Sequence, residues 1–301
     1  MPRVEQLSGL EILDSRGKPT VQATCRFASG AVGTASAPSG ASTGAAEALE
    51  LRDGDPTRYR GLGCRKAVGH INGELNAALT GREFPSQSEL DNAMIALDGT
   101  PNKSRLGANA ILAVSLAYAR ATANEQGRPL FQVFADMLNV TPTLPQMTIN
   151  LFSGGKHAGG QVAIQDVLVA PRSARSIDEA LAMTWAVYQS AADITHAKYG
   201  TRALSADEGG LAPPFPNVET MLSDAVEAIE EAGYRPDDDV ALAVDVASSH
   251  FYTDGAYLLN DRPLSGHEMI TAVASWVERY PIISVEDGLA EDDWGNWPAL
   301  C

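Results

Sequence analysis

Three apolar runs in this 301-residue chain lead directly into acidic residues. They are Asp207-Glu208 ahead of Gly209-Gly210, Asp245 within VALAVDVASS, and Glu286-Asp287 ahead of Gly288. Asp245 and Glu286 are 41 residues apart, about one strand–helix repeat. Neighbouring barrel strands would therefore present both carboxylates at their C-terminal ends, where barrels build active sites. Two converging carboxylates repel unless a cation lies between them. Hard oxygen ligands select Mg²⁺, which takes one or two carboxylates and completes its octahedron with water and substrate. Acidic residues after strands also cap the next helix, and Asp292-Asp293 read that way. For Asp245 that reading is weaker, because an unpaired charge in an apolar strand is costly. His157 lies in SGGKHAGG (153–160), a loop with four glycines whose mobility makes the imidazole a candidate. Asp166 and Glu208, beside predicted strand ends, complete the candidate set.

The elements that must position these groups fall into two styles. Residues 4–38 predict an antiparallel meander with a turn at Ser29-Gly30. The small-residue stretch SAPSGASTGAAEA (36–48) predicts a mobile loop. Ser86 with Glu89 caps a helix that stops at Gly99, and Ser104 opens a long alanine-rich helix closing near Gly127. Strands first and helices after define an α+β domain over residues 1–140. Over 141–301 strands alternate with helices. PQMTINLF and VAIQDVLVAP read as strands, followed by a helix capped by Ser176 with Glu179 and stopped by Gly200. Then come ALSADEGG, a helix from Asn217 to Gly233, strand 240–246, a hairpin at Asp254-Gly255, a helix capped by Ser265 with Glu268, and PIISVEDG. This spacing predicts a parallel sheet. The chain has no glycine-rich dinucleotide fingerprint and no phosphate-loop motif, which favours a barrel over a doubly wound fold. The fold class is α/β.

Composition narrows the function. With 22 basic and 38 acidic residues the net charge is −16, and no Lys/Arg cluster stands out, so a general nucleic-acid surface is excluded. An acidic protein handling an anionic substrate needs local positive charge, which a bound metal supplies. The window 107–121 is too short and too interrupted by Asn109 and Ser115 to span a membrane, and the N-terminus lacks a signal-peptide core. These features predict a soluble, cytoplasmic protein. Cys25, Cys64 and Cys301 read as free thiols in a reducing compartment.

Taken together, LEILDSRGKPTV, APSGASTG, ELRDGD, DGTPNKSRLGANAILAVSLA, SADEGGLAP, DVASSHFY and PIISVEDGLAEDDW resemble the enolase family, in family order across the whole chain. The resemblance implies an α+β N-terminal domain followed by an enolase-type (β/α) barrel. It further implies Mg²⁺-dependent loss of water from 2-phospho-D-glycerate to give phosphoenolpyruvate in glycolysis, by a cytoplasmic homodimer. Asp245 and Glu286 match two of the three carboxylates that hold the structural Mg²⁺. Ser42 matches the serine that closes over the substrate and ligates a second Mg²⁺. Glu208 matches one of an acidic pair assisting departure of the hydroxide, and His157 matches the histidine of a second closing loop near the substrate phosphate.

The resemblance also marks departures. Asp166 stands where the family has glutamate, Ser153 and Lys18 where it has asparagine, and His250 where it has glutamate. The family's lysine base, third Mg²⁺ carboxylate and phosphate-holding arginine and serine match no position in 1–301. Residues 143–301 number 159, against about 250 for a complete barrel. The chain thus reads as C-terminally truncated, with an incomplete barrel whose last strand, 281–286, has an unpaired edge. The alternative expectation is a divergent, non-catalytic paralogue acting as a binding protein.

Overall fold

Alternation builds the first sheet. β1 (Val4–Leu13), β2 (Pro19–Phe27) and β3 (Val32–Ser36) form an antiparallel meander in that order. Val21, Ala23, Cys25 and Phe27, two residues apart on β2, are all buried. The computed structural model describes residues 2–40, 42–200 and 204–301 and divides into two compact units, 1–143 and 144–301.

Helices cover the meander. α1 (Arg65–His70), a π-turn (Ile71–Leu75) and α2 (Asn76–Leu79) run on continuously. Their first N–H groups bond to the Asp53 carboxylate, with Arg65 N at 3.1 Å and Lys66 N at 2.9 Å. A cap supplied from twelve residues upstream leaves no local sequence signal for this segment. α3 (Gln87–Asp98) begins at Ser86, whose side chain accepts from Glu89 N, and ends at Gly99 with φ +70°. α4 (Ala108–Glu125) corrects one expectation. Its entry is Gly107 (φ +95°), not Ser104, because Asp98 takes the Leu106 N–H at 2.7 Å and the chain must then turn through a left-handed residue. α4 lies directly on β3: a Cβ on Gly33 would stand 2.2 Å from both Ala117 O and Ala121 N. α5 (Leu130–Leu138) ends the unit's regular structure. Phe27 and Phe84 pack edge-on to Tyr118 in its core.

Segment 37–58 of this unit contains no helix or strand among its described residues. Its start is fastened at Ser39, whose carbonyl accepts from Arg16 Nη2 (2.5 Å) and whose hydroxyl accepts from Arg52 Nη2 (3.0 Å).

In the second unit β4 (Ile149–Ser153), β5 (Asp166–Pro171), α6 (Ile177–Tyr199), α7 (Val218–Glu231) and β6 (Val240–Asp245) come first. Then follow the short strands β7 (Tyr252–Thr253), β8 (Ala256–Leu259) and β9 (Arg262–Leu264), α8 (Gly266–Arg279) and β10 (Ile282–Glu286). The main sheet has the order β10-β6-β5-β4. It is not the parallel sheet that the spacing predicts. β4–β5 and β5–β6 are antiparallel, and only β6–β10 is parallel. The reason is helix parity. A single helix, α8, returns the chain to start a parallel strand, whereas the pair α6–α7 reverses it once more, and β4 reaches β5 through a loop with only a 3₁₀ turn and no α-helix.

The local signals in this unit hold. Ser176, Asn217 and Ser265 accept from the backbone at the starts of α6, α7 and α8, and Ser265 with Glu268 forms a full capping box. Asp254 (φ +52°) and Gly255 (φ +82°) make the two-residue turn between β7 and β8. The core gathers Phe152, Tyr257 and Trp276 among aliphatic residues of the sheet and α6–α8. Among the described residues no helix is long and apolar enough to cross a membrane.

Candidate active site

The strand directions decide which residues meet. β4 and β6 run toward one end of the sheet and β5 runs away from it, so Ser153 (the end of β4), Asp166 (the start of β5), Asp245 (the end of β6) and Glu286 (the end of β10) stand level. The register pairs Ser153 with Asp166, Asp166 with Asp245, and Asp245 with Glu286. Two connections arrive at the same end. Loop 154–165 joins β4 to β5, and segment 204–216 joins α6 to α7 and bridges to β4 through Leu211. Five of the six sequence candidates belong to this unit: His157, Asp166, Glu208, Asp245 and Glu286. Ser42 belongs to the first unit, where it is exposed.

Two placements differ from the sequence expectation. Asp166 opens its strand instead of lying near its end, because 162–165 belong to the loop. Glu208 does not follow a strand. It lies in a turn held by the Ala206 N to Gly210 O bond and the isolated Ser205–Leu211 bridge. The glycines after it make the turn possible, since Gly209 has φ +89° and a Cβ on Gly210 would meet Ser153 Oγ at 2.4 Å.

Asp166 is the best-held group. It is 2% exposed, and its Oδ1 accepts from Ser153 Oγ (2.6 Å) and Asn150 Nδ2 (2.8 Å). Its Oδ2 lies 3.2 Å from His157 Nδ1. The other ring nitrogen, Nε2, is buried without a hydrogen-bond partner and lies 3.9 Å from Glu208 Oε1. His157, Asp166 and Glu208 thus each offer a ligand atom within 4.8 Å of the others, a group that could hold a metal ion. The His157 side chain is enclosed, while that of Glu208 is about half exposed.

Asp245 is the electrostatically loaded member. Its Oδ2 accepts from Gln165 Nε2 (3.0 Å) and its Oδ1 from Ala247 N–H (3.1 Å). Burial, then Glu286, Asp166 and Asp287, push its carboxyl up to about 6. The backbone turns sharply beside this cluster: Ala247 and Asp287 both have φ +47°, a costly conformation for non-glycine residues that is concentrated at functional sites.

A divalent cation fits these residues. The donors around Asp245 are all oxygens, they carry mutually repelling charge, and the Gln165 Oε1 beside them is buried without a partner. That is the donor chemistry of Mg²⁺. Neither Asn150 nor Gln165 stands out in the sequence. Both hydrogen-bond to named carboxylates, but Asn150 is 16 residues from Asp166 and Gln165 is 80 from Asp245, and a lone amide has no signature of its own.

A small α+β unit followed by an α/β unit that collects acids and a histidine at one sheet end is compatible with a two-domain protein of the TIM-barrel class. Residues 4–134 match the enolase N-terminal domain and residues 141–301 match the enolase C-terminal TIM barrel domain. The chain belongs to the enolase family, a family of lyases.

Proposed function

We propose that this protein is a Mg²⁺-dependent hydro-lyase interconverting 2-phospho-D-glycerate and phosphoenolpyruvate, with Asp245 and Glu286 as metal ligands. The observation that carries this reading is the level register of Asp166, Asp245 and Glu286 on three adjacent strands, with Asp245 raised by its acidic neighbours. Proton removal next to a carboxylate creates a dianionic intermediate, and bound Mg²⁺ supplies the electrostatic stabilisation that charge requires.

The chain's own residues account for orientation and for proton delivery to the leaving group. Asp166, accepting from His157 Nδ1–H, fixes the ring and leaves Nε2 for the substrate. Glu208, partly exposed and facing that nitrogen, assists departure of the hydroxide by delivering a proton. Ser42, in the glycine-containing segment 36–48, is assigned to the substrate and a second Mg²⁺. On the strength of family membership, the same proposal takes the reaction as a step of glycolysis carried out in the cytoplasm by a homodimer.

The test is ultraviolet detection of phosphoenolpyruvate formed from 2-phosphoglycerate, alongside calorimetric titration with Mg²⁺. Turnover is expected to need Mg²⁺, to stop with a chelator, and to fall at least about 100-fold in Asp245→Asn. A folded chain showing neither Mg²⁺-dependent product nor substrate-dependent Mg²⁺ binding would refute the proposal.

A further inference from the structure

The turns that follow β6 and β10 are fastened to each other by Ser248 and Ser249, the serine pair of DVASSHFY, which the proposed reaction leaves without a role. Past the paired ends Asp245 and Glu286, each chain leaves the sheet through a left-handed residue, Ala247 or Asp287, at φ +47°. Residues other than glycine keep that conformation only where their surroundings enforce it. Val246 N–H donates to Glu286 O (3.0 Å), and two residues on, Ser248 N–H donates to Asp287 O (3.1 Å). The Ser248 hydroxyl donates to the same Asp287 carbonyl at 2.7 Å, from a residue with no exposure. A carbonyl oxygen has two lone pairs, so both donors are accommodated. Farther along, Tyr257 Oη accepts the Ala290 N–H at 3.0 Å and Ser249 Oγ accepts the Glu291 N–H at 2.9 Å.

The two carboxylates at this sheet end differ in what holds them. Asp245 is oriented through its own oxygens, by Gln165 Nε2 and the Ala247 N–H. Glu286 is exposed, and among the described residues none donates a hydrogen bond to its carboxylate. Its place is therefore set through its backbone. Ser248 acts on that backbone at the next residue, Asp287, whereas the anchors at Ala290 and Glu291 lie four and five residues beyond Glu286.

We infer that Ser248 is a positioning residue for the carboxylate pair: by holding the Asp287 carbonyl it keeps Glu286 level with Asp245, so that one divalent cation reaches both. The inference rests on the reading of Asp245 and Glu286 as metal ligands. Without the hydroxyl the Asp287 turn relaxes and Glu286 moves with it. The cation must then impose an order that the fold no longer provides, and its affinity falls. The coupling is reciprocal. What Ser248 does for the cation, the cation must do for the contact between the two turns.

The experiment uses the full chain and Mg²⁺, with binding read by calorimetry, contact between the turns by amide hydrogen exchange, and folding by far-ultraviolet dichroism. Ser248→Ala keeps the backbone donor and removes only the hydroxyl. It should stay folded, speed exchange at Val246 and Ser248 without metal, and raise the Mg²⁺ dissociation constant about tenfold or more. Ser249→Ala, whose bond lies farther from Glu286, should change that constant by less than about threefold. In the parent, Mg²⁺ should slow exchange at Val246 and Ser248 and leave Glu291 unchanged. This last readout needs no variant, and a hydroxyl with a merely structural role would not produce it. A folded Ser248→Ala that binds Mg²⁺ within about twofold of the parent overturns the inference. So does Ser249→Ala weakening binding as much as Ser248→Ala, or bound Mg²⁺ that leaves the Val246 and Ser248 amides unaffected. A parent chain that binds no Mg²⁺ overturns the ligand assignment together with this inference, whereas binding indifferent to Ser248→Ala overturns this inference alone.

Discussion

Asp166 and Ser153, two residues that the enolase resemblance marks as departures, are in contact through a 2.6 Å hydrogen bond at adjacent register positions. The shorter carboxylate is met by a short hydroxyl that leaves Gly210 its close approach, so the two positions work as a pair. Asp166→Asn removes the charge that holds the His157 ring. It should cut turnover by about 100-fold or more in a Mg²⁺-dependent phosphoenolpyruvate assay while leaving Mg²⁺ affinity nearly intact. An equal loss of metal binding would instead make Asp166 a ligand.

Asp245 gives a pH prediction with a definite sign. Its folded carboxyl is raised from 3.8 to about 6, so the folded chain binds this proton more tightly than the unfolded chain does. The group therefore destabilises the fold above about pH 6, and that penalty fades as pH falls through 6 toward 4. Other carboxylates, such as Glu11 and Asp239, are lowered by arginine partners and act in the opposite direction, so the quantity to measure is a difference. Asp245→Asn should be more stable than the parent at about pH 7 without metal, and this advantage should shrink by about pH 5. Mg²⁺ should raise the melting temperature of the parent at the higher pH and do less at the lower, because protons compete for the ligand. A stability difference that does not change with pH would refute the assignment.

At the scale of elements, what is written locally could be read, the Ser104 start of α4 excepted. The Ser86, Ser176 and Ser265 caps, the Gly99 and Gly200 stops and the Asp254-Gly255 turn all stand where residue chemistry puts them. Contacts that close over long sequence distances could not be read. Asp53 capping α1 is one case, and the antiparallel β5, set by the paired helices α6 and α7, is another. The site divides in the same way. Carboxylates that terminate strands announce themselves, whereas Asn150 and Gln165 matter only because folding sets them against Asp166 and Asp245. Gly33 could not be read either, since its meaning is the 2.2 Å approach of the α4 backbone. Gly33→Ala should force β3 and α4 apart and cost about 1–3 kcal/mol in a urea titration. An unchanged midpoint would mean that the sheet and helix have room to separate.

For the whole molecule, the two core clusters divide cleanly along the chain. One draws its buried residues from Val4 to Ala121, and the other from Leu151 to Ala290. Each unit therefore has a buried core of its own. The first has the parts of a self-sufficient domain: an antiparallel sheet, the alanine-rich α4 laid on it, and the α1–α2 segment capped by Asp53. A domain of this size buries about two-thirds of the surface its unfolded chain exposes. Residues 1–143 produced alone should accordingly give a single cooperative urea transition, with tryptophan-independent probes such as far-ultraviolet dichroism and tyrosine emission coinciding. Gly33→Ala should lower the midpoint of that transition by the same free energy as in the full chain. A broad transition, or a Gly33→Ala effect that vanishes in the fragment, would show that the first core needs the second unit to form.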